Sequence, residues 1–160
     1  MKTALALSAL TASALMLSGC AYSTPTYDQV RDETNDVLHQ AADLIPDPKE
    51  VVPNEEFEPY SCGDDLIFGT RKGSFYTGQW SVYVDDSFDI PSFVARFPGA
   101  LGDGWRAKDL GVPVNFAQIY LVRDAPRMSL GISETMIDGR KAVELLAISR
   151  CGTLPATPAP

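Results

Sequence analysis

The sequence predicts an α+β fold: an antiparallel sheet of about five strands with one or two helices packed on one face, stapled by one disulfide. Three observations carry that reading. Apolar residues recur at helical three- and four-residue steps between Thr26 and Ile45, whereas Gln79 to Val84 and Arg127 to Ser133 alternate apolar with polar. Asp138-Gly139, between two alternating runs, is a tight-hairpin signal. Cys62 and Cys151 bracket the part of the chain that reads as folded.

The elements follow in order. The leader carries one positive charge, Lys2, then an uncharged run from Ala4 to Leu17, and closes on Leu17-Ser18-Gly19-Cys20. That is the plan of a secretory signal peptide. Its apolar run is too short and too rich in alanine and serine to span a bilayer, which needs roughly 20 mainly apolar residues. Leu17-Ser18-Gly19-Cys20 resembles the lipobox of bacterial lipoproteins. The resemblance implies that residues 1–19 are removed, that Cys20 carries a diacylglyceryl group and palmitate, and that the protein is secreted to the extracytoplasmic face of the cell membrane. An ordinary signal peptide with a chance cysteine after the cut is the alternative. Residues 20–25 are then the lipid anchor and a short polar spacer.

From Thr26 to Ile45, Tyr27, Val30, Val37, Leu38, Ala41, Leu44 and Ile45 line one side of an amphipathic helix. Pro25 and Thr26 suit its start, and Pro46 ends it. The stretch 46–61 reads as an acidic, proline-rich linker without regular structure. The α+β domain spans 62–151. Gln79 to Val84 alternates as a half-buried strand, and Asp89 caps a helix that begins at Ile90-Pro91. That helix presents Phe93, Val94, Phe97 and Leu101 to a core, with a bend or an early end at Pro98. Strands follow over Trp105–Leu110, Phe116–Arg123, Met128–Ile137 and Ala142–Cys151, with a looser turn at Asp124-Ala125-Pro126. Residues 152–160 read as a disordered tail.

Charge limits the partners. The full chain has 13 basic and 21 acidic residues, and removing Lys2 with the leader leaves 12 against 21 over 141 residues. Such a chain is repelled by nucleic acid and by anionic headgroups, so the lipid on Cys20, rather than a basic face, is the expected membrane contact. With Cys20 assigned to the anchor, Cys62 and Cys151 remain as an even pair in an oxidising compartment, where pairing is the default. A metal-bound or catalytic thiol lacks neighbours to support it.

No constellation for chemistry appears. The single histidine, His39, lies on or beside the polar side of the first helix with no second ligand a turn away. There is no nucleophile elbow and no phosphate-cradling loop; Gly69-Thr70-Arg71-Lys72-Gly73 lacks the spacing. Asp64-Asp65 and Asp85-Asp86 are sequence neighbours, which rarely converge on one substrate, and Asp85 to Asp89 matches no calcium loop. The reading is therefore no enzyme, no metal and no cofactor. The aromatic residues Tyr76, Trp80, Tyr83 and Tyr120 are candidates for a binding surface on the helix-free side of the sheet, with core packing as the alternative for most of them. Trp80 and Tyr83 have opposite parity and face opposite sides of their strand.

The lipobox, N-terminal helix, first cysteine, strand and helix, Gly104-Trp105, closing strands and second cysteine together resemble small actinobacterial lipoproteins of the LppA-like kind. The resemblance implies an exported α+β domain with a cysteine bridge and brings no catalytic residues with it. Two functions stay open: an interaction module for another envelope protein, and a binder of a small ligand or glycan on the exposed sheet face.

Overall fold

The computed structural model describes residues 24–63 and 73–155. The leader, Cys20, Asp64-Asp65, residues 69–72 and the last five residues lie outside that range.

Helix α1 spans Tyr27–Asp43. Thr26 starts it through a capping box, in which the Thr26 hydroxyl accepts from the Gln29 amide while the Gln29 side chain accepts from the Thr26 amide. Val30, Val37, Leu38 and Ala41 are buried along one side. Seven strands then build one antiparallel sheet: β1 (Lys49–Pro53), β2 (Tyr60–Ser61), β3 (Ser74–Val84), β4 (Trp105–Ala107), β5 (Gln118–Asp124), β6 (Arg127–Ile137) and β7 (Arg140–Gly152). Their spatial order is β1-β3-β7-β6-β5-β4, with β2 also pairing β3. Helix α2 (Ile90–Arg96) and one 3-10 turn (Phe97–Gly99) connect β3 to β4. Asp89 caps α2, its carboxylate accepting from the Ser92 amide and hydroxyl at 3.0 and 2.6 Å. The fold class is the expected one, with two more strands than the sequence predicted.

Both helices cover the same face of the sheet. Leu38, Ala41 and Ile45 from the α1 side and Ile90, Val94 and Phe97 from the α2 side close over Trp80, Val82, Leu130, Ile132, Val143 and Leu145. Alternate residues of each strand point the other way. The Asp138-Gly139 hairpin has both residues at positive φ, 50° and 76°, which a two-residue type I′ turn needs. The β5–β6 turn is tighter than expected: Asp124 pairs Arg127 directly across Ala125-Pro126.

Three sequence expectations change. First, the stretch 46–61 is not a free linker. Lys49–Pro53 pairs β3 from Lys49↔Val84 to Pro53↔Trp80, and Tyr60-Ser61 pairs Phe75 and Ser74. Proline is tolerated at the end of this strand because β1 lies at the sheet edge, where one row of donors faces solvent. Second, α1, which lies outside the expected 62–151 domain, is part of it. It packs on β3 and β7, and Glu33 pairs Arg150 of β7 at 2.8 and 3.1 Å. Third, Gly152 and Thr153, expected in the disordered tail, are held: the Thr153 carbonyl accepts from the Tyr27 amide and its amide donates to the Pro25 carbonyl, both at 2.9 Å. Cys62 and Cys151 form the disulfide, Cα atoms 6.2 Å apart, at this same end of the sheet.

Candidate functional site

The aromatic surface read from sequence divides between two faces. Tyr76 and Trp80 lie under α1 and are buried, 5% and 6% exposed, so they belong to the core and not to an exposed surface. The Tyr76 hydroxyl lies 2.9 Å from the Asn35 side-chain oxygen, and the His39 ring meets Trp80 edge-on with centroids 4.5 Å apart. His39 is otherwise exposed, an ordinary surface residue beside a core tryptophan. Tyr83 and Tyr120 do face the open side, but β7 and β6 separate their strands. Tyr83 is covered by Arg140, whose guanidinium carbon sits 3.9 Å from the ring centre while its Nη2 pairs Glu50 at 2.6 Å. Of the four candidates, Tyr120 borders an open depression among the described residues. Asp85 is a turn residue whose carboxylate accepts from Ser87, an interaction that holds it below the usual carboxylate range. Among the described residues no three His, Cys, Asp or Glu side chains converge to hold a metal ion.

Two features remain on the surface. The first is a groove of about 460 Å³ on the open face, within the range of small-ligand sites. Tyr120 and Val122 of β5 form one wall, Ile148 of β7 the other, and Ser129 of β6 the floor. Gly131 pairs Tyr120 on one side and Leu146 on the other, two residues along β6 from Ser129. Arg106, Lys108 and Arg127 stand at the rim with Asp124. Arg106 pairs Asp124 at 3.2 Å, whereas Lys108 and Arg127 make no side-chain hydrogen bond or ion pair with any described residue.

The second feature is the β4–β5 loop. Leu110, Val112, Val114 and Phe116 are 48%, 70%, 45% and 44% exposed, and Met136 of β6 is 64% exposed. Leu110, Val112 and Val114 line one shallow depression beside Tyr120, and Phe116 and Met136 line another with Glu134 and Glu144. The loop alternates like a strand but pairs with nothing along Leu110–Phe116, because Gly111 at φ 68° and Pro113 break the ladder.

Sequence reasoning missed Arg106, Lys108 and Arg127. Arg106 lies in β4, Lys108 just after it and Arg127 at the start of β6, so they form no run and only the sheet order brings them together. The apolar loop falls between the strands expected over Trp105–Leu110 and Phe116–Arg123, and its exposure had no signal in the sequence. Compared with known proteins, the chain matches no family model, no curated protein and no solved structure.

Proposed function

We propose that this chain is a lipid-anchored protein of the bacterial cell envelope whose domain is a non-enzymatic interaction module for another envelope protein. The observation that carries the reading is the apolar strip Leu110, Val112, Val114, Phe116 and Met136, each at least 44% exposed. Contiguous exposed apolar side chains are characteristic of interaction surfaces. Glu134 and Glu144 give the Phe116 end of the strip an acidic border, which suits a partner with basic groups there, while Lys108 and Asp109 flank the other end. The strip lies toward the β6–β7 hairpin end of the sheet, whereas the chain enters at the opposite end, where Thr26 meets Thr153. An anchor on Cys20 would therefore attach at the end of the sheet far from the strip. The disulfide agrees with an oxidising compartment.

A photocrosslinking residue at Val112, tested in intact cells against the same residue at Asp36, measures this reading. The expected result is a discrete adduct from position 112 that Phe116→Asp removes and position 36 does not give. Identical adducts from both positions, or none from 112, refute it. For the anchor, Cys20→Ser should move the protein to the soluble fraction and abolish palmitate labelling; a labelled variant defeats the lipoprotein reading. Small-ligand or glycan binding on the open face is the second reading, favoured by the groove beside Tyr120.

A further inference from the structure

We infer that the groove between Tyr120 and Ile148 receives the phosphodiester headgroup of an anionic lipid, so that the open sheet face lies on the bilayer. The position of the groove near the membrane rests on the proposed lipid anchor; its chemistry does not.

Charge is the first argument. Of the ten cations among the described residues, seven are engaged with carboxylates, backbone carbonyls or rings. The other three are Arg96, Lys108 and Arg127, and two of these three stand at one groove. The carboxylate of Asp124 there is already met by Arg106. A groove with two uncommitted cations in a domain this acidic is complementary to an anion.

The walls supply the second argument. Val122 and Ile148 offer apolar surface, Tyr120 a ring, and Ser129 a hydroxyl on the floor. This suits a group that joins a phosphate to an apolar body more than it suits a bare ion.

Position and sidedness select the bilayer as its source. Ile148 precedes Thr153 by five residues, or roughly 16 Å of strand. Thr153 is bonded to Pro25, five residues after Cys20, a reach of at most about 18 Å. The net charge of the chain opposes an anionic surface, but it is unevenly placed. Helix α1 carries Asp28, Asp32, Glu33, Asp36 and Asp43 against Arg31 alone, on the other face of the sheet. Setting the open face on the membrane turns those carboxylates outward.

The test uses the mature chain with Cys20→Ser, which has no acyl chains, so binding reports the groove and palmitate labelling of the natural chain reports the anchor separately. Co-sedimentation with phosphatidylcholine vesicles, with and without phosphatidylglycerol, should show binding only when phosphatidylglycerol is present, and added salt should weaken it. Arg127→Glu or Lys108→Glu should weaken it at least about tenfold. Arg96→Glu makes the same change in net charge far from the groove and should leave it within about twofold of the parent. Circular dichroism confirms that each variant is folded; Lys108→Gln and Arg127→Gln, with smaller losses of the same sign, replace any that is not. Equal binding to both vesicle types, or equal effects of Arg96→Glu and Arg127→Glu, overturns the inference. So does displacement by millimolar inorganic phosphate, which would make the groove a site for a free anion.

Discussion

Gly152 lies so close to Thr26 that a Cβ on Gly152 would stand 2.6 Å from the Thr26 carbonyl oxygen and 2.8 Å from the Tyr27 Cα. Backbone meets backbone here, and the Tyr27–Thr153 and Thr153–Pro25 hydrogen bonds fix the approach. The end of β7 is thereby closed onto the start of α1. The helix enters the fold at its first residue, with the disulfide at the same end of the sheet.

Gly152→Ala should therefore destabilise the domain. Backbone atoms cannot rotate away as a side chain can, and overpacking of this kind costs about 1–3 kcal/mol. Thermal melts should show a lower midpoint than for Gly99→Ala, where a Cβ meets nothing within 4 Å. Equal midpoints for the two variants would contradict the close approach.

Lys49 gives a second prediction. Its ammonium donates to the carbonyls of Ala42 and Ile45 at 2.8 and 2.6 Å, closing the C-terminal end of α1 from strand β1. Replacing the charge with Lys49→Met keeps much of the stem and removes both bonds, at an expected cost of about 1–2 kcal/mol in urea denaturation. A free linker would tolerate the change without loss, and an unchanged urea midpoint would favour that description.

The same lysine shows what sequence could and could not convey. Helix α1, the Asp89 cap, the Asp138-Gly139 turn and the five expected strands were legible because each has a local cause: apolar residues at helical spacing, a carboxylate at an N-terminus, two residues able to adopt positive φ, short apolar runs between turn residues. Strands β1 and β2 were not. Four prolines and five acidic residues between Pro46 and Pro59 argue locally for a linker. Val51 and Val52 pair with β3 only because the folded sheet offers an edge there. The candidate site divides in the same way. Tyr120 was visible as an aromatic residue on a strand, but Arg106, Lys108 and Arg127 become neighbours only through the order β6-β5-β4. Tyr76 and Trp80 were misplaced as surface because parity within a strand does not say which side a helix will cover.

The disulfide should contribute through the unfolded chain. Its cysteines are 89 positions apart, and closing a loop of that length corresponds to about 4–5 kcal/mol on the chain-entropy model. Mass spectrometry without reductant should find the Cys62–Cys151 crosslinked peptide pair, and Cys62→Ser with Cys151→Ser should lower stability by an amount of that order. Two free thiols in freshly isolated protein would refute the bridge. Unchanged stability in the double variant would refute its role.

Tyr27 makes stability depend on alkaline pH. Its phenol is pushed from 10.0 up to about 12, chiefly by burial and next by the Glu56 carboxylate. Tyr76 moves in the same direction for the same two reasons, although its contact with Asn35 opposes the shift. The neutral phenol is the form the fold prefers, so its contribution is complete below the unfolded value of 10.0. As pH rises from 10 toward 12, the unfolded chain loses the Tyr27 proton first and stability falls. The Tyr27 hydroxyl is also buried without a hydrogen-bond partner among the described residues. Tyr27→Phe removes both effects: an unpaired buried group of this kind costs about 1–3 kcal/mol, so the variant should be at least as stable at neutral pH. Its urea midpoint should also decline less steeply above pH 10 than that of the parent. Parallel alkaline slopes for the two proteins would show that the buried phenol does not govern the loss.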